Sequence, residues 1–223
     1  EGLSNAAVLN SNMIIIVNDN SMAIAPVEGG IYNSLAILRE TKGQTKDNIF
    51  KSMGYDYYYV EDGNNVESLI KTFTKVKDSN KPVVVHIHTL KGKGYEPAEQ
   101  DKETYHWQLP GFIERAGKVQ PKVEAYNTIP NDFIWSKKKK DSSVIAVSPA
   151  TPGATGMTKE FRKQMGANYT DVGIAEQHAV GYVSGLASNG AKPILEVMSS
   201  FIQRTYDQLS QDFAINKAAA TIL

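Results

Sequence analysis

Met13-Ile14-Ile15-Ile16-Val17 is an unbroken apolar run with polar residues on either side, and such a run predicts a strand buried on both faces, as in a parallel sheet. Further strands are predicted at Tyr57 to Val60, Pro82 to His88, Val144 to Ser148, Tyr169 to Gly173 and Pro193 to Val197. Between them, Asn65 to Val76 carries Val66, Leu69, Ile70, Phe73 and Val76 at spacings of three and four, which places them on one face of a helix. Helices are also predicted at Thr158 to Gln164, Glu176 to Ser188 and Phe201 to Asn216. This alternation implies an α/β chain with helices on both faces of largely parallel sheets.

The rhythm breaks between about Gln108 and Ser142, where three prolines, a Lys-Val-Gln-Pro-Lys segment and the run Lys137 to Lys140 occur. A linker is therefore expected over 119–141, between parts of two domains at 1–118 and 142–223. Val123 to Lys138 is expected to hold a helix of the second domain, interrupted near Pro130. The four lysines admit a nucleic-acid patch or a targeting signal, but a solvated helix end beside Asp141 is the preferred reading, since cations suit the negative end of a helix dipole.

Composition narrows the function classes. With 223 residues, 41% of them hydrophobic, the chain can bury one large core or two small ones. Lys plus Arg equals Asp plus Glu at 24 each, so overall charge favours neither nucleic acid nor an anionic membrane. The absence of cysteine removes disulfides, zinc-thiolate sites and a cysteine nucleophile. Met13 to Val17 is too short to span a bilayer or to form a signal-peptide core. A soluble, cytosolic protein without a membrane partner is expected. Glu1 to Ala7 reads as the middle of a helix and Ala220 to Leu223 as a strand beginning, so an incomplete stretch of a longer protein is expected.

Four segments carry candidate chemistry. Asn18-Asp19-Asn20-Ser21-Met22 follows the first predicted strand, where open α/β sheets bind ligands, and its side-chain oxygens suit a hard divalent cation; a plain turn uses the same residues. Thr89-Leu90-Lys91-Gly92-Lys93-Gly94-Tyr95-Glu96-Pro97-Ala98-Glu99 resembles a phosphate-cradling loop but lacks the glycine spacing and Lys-Ser/Thr ending of a P-loop, so nucleoside-triphosphate chemistry is not expected. His86 and His88 have strand spacing and share a face, but no further ligand cluster accompanies them, which disfavours a metal there. Asp171 to Val180 crowds Glu176, Gln177 and His178 at a helix start, where free backbone N–H groups favour negative charge; helix capping with a buried His is the alternative. Ser199 to Gln208 could equally be a packed amphipathic helix.

Taken together, Val17 to Ile24, His86 to Glu99, Ile174-Ala175-Glu176-Gln177-His178-Ala179 and Phe201-Ile202-Gln203-Arg204-Thr205-Tyr206-Asp207-Gln208 resemble the successive signatures of the 1-deoxy-D-xylulose-5-phosphate synthase family, in the transketolase superfamily of thiamine-diphosphate enzymes. The resemblance covers nearly the whole chain. It implies a thiamine-diphosphate-binding fold, with the C-terminal part of a diphosphate-binding domain followed by the N-terminal part of a pyrimidine-binding domain. It implies thiamine diphosphate and Mg²⁺ as cofactors, pyruvate and D-glyceraldehyde 3-phosphate as substrates of a decarboxylative condensation early in non-mevalonate isoprenoid synthesis, and a homodimer. By the same resemblance Asn20 and the main-chain carbonyl of Met22 bind the metal, and Tyr95 contacts the cofactor. Glu176 hydrogen-bonds the aminopyrimidine nitrogen, Phe201 stacks on that ring, Arg204 supplies charge for a substrate anion, and His106 relays protons; His178 is taken as structural.

The family's metal-binding Asp, in a Gly-Asp-Gly triplet, would fall before Glu1, so the 223 residues alone are not expected to turn over. Met198 stands where many relatives have Tyr, and the stretch from Met22 to Tyr57 is shorter than in many of them, which puts substrate contacts there in doubt. The rival readings are another transketolase-type enzyme, against which the signature at Phe201 argues, and an inactive binding module.

Overall fold

The computed structural model describes residues 2–9, 11–27, 29–115, 126 and 128–223. They form two compact units, Glu1–Met22 with Glu28–Tyr105, and Ala23–Val27 with His106–Leu223. The expected boundary near residue 120 lies outside the described residues.

The first unit runs α1 (Gly2–Val8), β1 (Ile14–Asp19), α2 (Gly30–Glu40), α3 (Ile49–Met53), β2 (Asp56–Val60), α4 (Val66–Val76), β3 (Val83–His88) and α5 (Glu96–Gln100). Its three strands are parallel in the order β1-β3-β2. Alternation of side chains across the pleat splits the core into two. Ile15, Val17, Tyr57 and Val84 pack with Leu38 of α2 and Phe50 of α3, while Ile14, Tyr58, Val83 and Val85 meet Leu69, Phe73 and Val76 of α4. Helices therefore cover both faces, as the alternation predicted. On α4 the apolar stripe is narrower than its spacing suggested, since Val66 and Ile70 are exposed.

Two expectations need correction in this unit. β1 is not buried on both faces: it lies at a sheet edge and Ile16 is 53% exposed, whereas the central strand β3 has Val83 to His86 at 1% or less. In addition, α2 and α3 were not foreseen. The local signals for α3 are plain in hindsight: Asn48 caps it, its side-chain oxygen accepting from the Phe50 and Lys51 amides, and Gly54 ends it in the left-handed conformation that glycine adopts without strain.

The second unit contains α6 (Phe112–Arg115), α7 (Thr128–Lys138), β4 (Val144–Ser148), α8 (Lys159–Met165), β5 (Tyr169–Asp171), α9 (Glu176–Ser188), β6 (Lys192–Leu195), α10 (Ser199–Ile202), α11 (Tyr206–Gln208) and β7 (Thr221–Ile222). Its sheet is parallel throughout, in the order β5-β4-β6-β7. One face packs Val144, Ala146 and Ile194 with Ile134, Met157 and Phe161; the other packs Val147 and Leu195 with Ala179, Val180 and Val183 of α9. Part of the expected linker is thus helical. Pro130 does not interrupt α7 but sits in its first turn, where its missing N–H has no partner to lose. Lys137 and Lys138 do close that helix, lying over the Phe133 and Trp135 rings. The single helix expected over Phe201 to Asn216 is instead a series: α10, a 3-10 turn Gln203–Thr205, α11 and a π-helical stretch Leu209–Ile215. Among the described residues no helix is long and apolar enough to cross a membrane.

Candidate active site

In the first unit the chemistry gathers at the carboxyl ends of β1 and β3, where parallel strands present their loops. A cleft of about 260 Å³ opens there, lined by Asn20, Ser21, Asn64, His88, Lys93 and Lys102 among others. Asn20 folds back so that its side-chain oxygen accepts from the Met22 amide at 3.1 Å, and Ser21, at φ 65°, donates its amide to Asp19. Gly63 is forced by close packing: its N–H donates to the His88 carbonyl, and a Cβ there would stand 2.6 Å from that oxygen. The Asn64 side chain accepts from the Leu90 amide at 2.7 Å and ties the two loops together. Neither Gly63, Asn64 nor Lys102 belongs to the motifs read from the sequence; the Asp-Gly-Asn-Asn run at 62–65 was the available turn signal.

Asp19 is not a free metal donor. Its carboxylate is buried and bridges the Arg39 guanidinium at 2.5 Å and His86 Nε2 at 2.9 Å, and His86 Nδ1 lies 2.7 Å from the Tyr57 hydroxyl. Burial raises the Asp19 pKa, but hydrogen bonds from His86, Arg39 and the Ser21 amide outweigh it and hold the group far below the usual carboxylate range. A carboxylate only accepts, so Nε2 carries a proton toward Asp19, while Nδ1 shares a hydrogen bond with the Tyr57 hydroxyl. Both nitrogens of His86 are thereby used inside the core, which removes the His86–His88 pair as a metal site. Among the described residues no cluster of three or more His, Cys, Asp or Glu could hold a metal ion.

The loop after β3 turns back onto α5. Gly92 leaves no room for a side chain beside Ala98, and the Gly94 amide donates to Glu99 at 2.8 Å. Tyr95 stands at the start of α5, its ring edge-on to Tyr105 at 5.6 Å. It does not line the cleft. Burial lowers the Lys91 pKa, with Glu103 acting against that shift.

In the second unit Glu176 opens α9 and is 2% exposed. One of its oxygens accepts from Arg204 at 2.9 Å; the other carries no hydrogen bond among the described residues. The helix start places free N–H groups and a positive dipole end beside this carboxylate. Asp171 shapes the approach, accepting from the Gly173 and Ala150 amides at 2.9 and 3.0 Å. Phe201 packs on the α9 side of the sheet, and its amide bonds to the Met198 carbonyl. Arg204 follows in the 3-10 turn with its side chain about half exposed. His178 is exposed beside Tyr182, which corrects the alternative of a buried His. His106, exposed, ends the 3-10 helix Thr104–His106. Thus Asn20, Met22 and Tyr95 belong to the first unit and Glu176, Phe201, Arg204 and His106 to the second.

Comparison with known proteins bears on both units. A family model described as 1-deoxy-D-xylulose-5-phosphate synthase matches residues 1–47 and 39–89, and one described as the transketolase pyrimidine binding domain matches 125–223. The curated 1-deoxy-D-xylulose-5-phosphate synthases of Haemophilus ducreyi and Listeria monocytogenes are 35% and 36% identical over 96% and 100% of this chain. The chain belongs to the 1-deoxy-D-xylulose-5-phosphate synthase family. It spans 40% and 38% of the length of those two relatives. The family match divides at 39–47, inside the stretch between Met22 and Tyr57 that the sequence marked as short. Among solved structures, a transketolase from Campylobacter jejuni covers 99% of this chain and 43% of its own at 14% identity and a TM-score of 0.40.

Proposed function

We propose that these residues form part of a thiamine-diphosphate-dependent synthase that condenses pyruvate with D-glyceraldehyde 3-phosphate to 1-deoxy-D-xylulose 5-phosphate. The observation that carries this reading is Glu176: a buried carboxylate at a helix start, with one oxygen fixed by Arg204 and the other open. A protonated aminopyrimidine ring nitrogen is the partner such an oxygen suits, because its N–H would donate to the carboxylate and keep a buried charge compensated.

The residues fit the cofactor's two ends. In the first unit, Lys93, Lys102 and His88 suit diphosphate oxygens, although Glu61 and Asp62 line the same cleft and offset that charge. The Asn20 side-chain oxygen and the Met22 carbonyl are hard donors that suit Mg²⁺, but both are neutral, so most of the metal's charge would be met by the diphosphate and by groups outside these residues. In the second unit, Phe201 offers an aromatic face for the pyrimidine. When bound, thiamine diphosphate supplies the carbon nucleophile and the electron sink for decarboxylation.

The chain's own residues then position and discriminate. Glu176 would hold the ring nitrogen by a charge-assisted bond, and Arg204 keeps that carboxylate oriented while its half-exposed guanidinium would attract an anionic substrate. We assign Tyr95 to cofactor contact and His106 to proton transfer near the reacting carbons. We further propose a homodimer in the cytoplasm as the working form, and no turnover by the 223 residues alone.

Titration of the chain with thiamine diphosphate and Mg²⁺ by calorimetry, beside a synthase assay of the protein at its natural length, tests this. Saturable binding, and loss of synthase activity in Glu176→Gln at natural length, are expected. A fully active Glu176→Gln enzyme would overturn the assignment.

A further inference from the structure

Glu196 follows β6 and is 3% exposed, yet neither of its carboxylate oxygens has a hydrogen-bond partner. Its amide donates to the Val147 carbonyl, so it continues the ladder beside Ser148, the last residue of β4. Leu195 and Val197 point toward α9, and alternation therefore turns Glu196, with Ile194, to the opposite face against α7 and α8. Ser148 shares that face with Val144 and Ala146. Its hydroxyl, 0% exposed, bears on the Tyr169 hydroxyl without a bond of good geometry, and that of Thr151, 4% exposed, makes no hydrogen bond either.

Such a group is poorly satisfied when it is ionised. Ionised, it is a buried charge with no donor in good hydrogen-bond geometry; protonated, it has the nearby Thr155 hydroxyl oxygen as its one acceptor. Its oxygens and the two hydroxyls are not within bonding geometry of one another, which leaves them able to bond a shared occupant. Thr155, the hydroxyl that bears on Glu196, spends its proton on the Thr151 and Pro152 carbonyls in long bonds of 3.4 and 3.3 Å. Those carbonyls therefore retain accepting capacity.

The surrounding charge sets the valence of an occupant. Asp171, registered beside Ser148, already accepts from two amides and, at 3.3 Å, from the Tyr169 hydroxyl. Arg162 on α8 contributes positive charge near Tyr169 and donates to the Met157 carbonyl. One carboxylate with neutral hydroxyl and carbonyl oxygens balances a single positive charge, while a divalent ion would leave net positive charge buried near Arg162. We propose that Glu196, Ser148 and Thr151 form a buried site for a monovalent alkali cation on the face of the second sheet opposite α9. Hard oxygen donors of mixed charge are the chemistry such an ion takes. The ion would fix the end of β6 and so the segment that leads to Phe201 and Arg204.

The test is thermal unfolding of the full 223-residue chain in potassium, sodium or choline chloride at equal ionic strength, at about pH 8 and about pH 5, since a proton competes for the same carboxylate. At the higher pH the midpoint should rise in potassium or sodium over choline, with the folded-to-unfolded ratio growing tenfold for each tenfold rise in cation above its dissociation constant. At the lower pH the response should vanish. Glu196→Gln should fold and respond to no cation, and Ser148→Ala should keep the carboxylate but respond more weakly. Equal midpoints in all three salts at about pH 8 would overturn the proposal and leave a buried water or a proton as the occupant. A cation response that survives in Glu196→Gln would overturn it too.

Discussion

Asp19→Asn separates a structural reading of the first motif from a metal-binding one. The substitution keeps the size of the side chain but removes its charge and turns one oxygen into an N–H donor. That donor would face Arg39 or His86, both of which already donate to Asp19 at 2.5 and 2.9 Å. The carboxylate side chain is 4% exposed and that of Arg39 only 18%, so the guanidinium loses its partner in a place where water replaces it poorly. Breaking one partner of such a pair costs about 3–5 kcal/mol. The readout is amide hydrogen exchange by mass spectrometry, comparing peptides of β1 and β3 with those of the second unit, which serve as an internal control. At tenfold for each 1.4 kcal/mol, exchange in β1 and β3 should quicken by roughly two to four orders of magnitude while β4 and β6 stay unchanged. The pH dependence has a matching sign. The folded Asp19 pKa lies below its ordinary 3.8, so its contribution is fully present above that value and is lost as pH falls below it toward the folded value. If Asp19→Asn left exchange in β1 and β3 unchanged but abolished Mg²⁺-dependent cofactor binding, the structural argument would be refuted.

Gly63→Ala should lose about 1–3 kcal/mol of stability, because its Cβ meets the His88 carbonyl oxygen at 2.6 Å and backbone must shift; urea unfolding measures this, and an unchanged midpoint would show that the turn has room. Burial pushes the Glu196 carboxyl up to about 7 from its ordinary 4.5. In choline chloride its contribution is therefore present below 4.5 and is lost as pH rises through about 7. This alkaline loss, at most about 3 kcal/mol and smaller wherever water reaches the group, should be missing in Glu196→Gln. For the proposed synthase, Arg204→Gln should raise KM for the anionic substrate and slow turnover, and Arg204→Lys should recover only part of both, because an ammonium cannot reproduce the guanidinium's fixed fork; full recovery by Lys would reduce Arg204 to a point charge.

Strand positions were legible because a parallel sheet buried between helices demands continuous apolar runs, and all six predicted strands lie within two residues of those found. The errors have local causes. Ile14, Ile15 and Ile16 are equally apolar, but all three lie on an edge strand that leaves Ile16 exposed, and periodicity says nothing about which strand has a neighbour. The stretch Ser199 to Ile215 has helical composition, yet it packs as α10, a 3-10 turn, α11 and a π-helical stretch, and a change of helical pitch leaves no mark in apolar spacing. Helix α3 escaped because it is short and only its caps, Asn48 and Gly54, speak for it, and α2 because it follows Gly29 with no side-chain cap to mark it.

For the site, motifs located the loops but not the allocation of charge within them. Asn18 to Met22 reads as a set of oxygen donors, yet the one charged member is committed to Arg39 and His86, residues 20 and 67 positions away in sequence. Glu176 shows the reverse case: it looks like an ordinary acidic helix start, and its burial against Arg204, 28 positions on, is what makes it chemically notable. Glu196 sits inside an apolar strand pattern and drew no attention, because pattern reading registers an isolated polar residue as noise. A buried charge is defined by the partners that tertiary structure brings to it, and those are the terms that sequence spacing does not contain. Functional assignment in this family member therefore turns on three carboxylates that spacing alone cannot rank. Asp19 is fully compensated and structural, Glu176 is half compensated and open to a ligand, and Glu196 lacks a donor in good hydrogen-bond geometry and is able to bond an occupant.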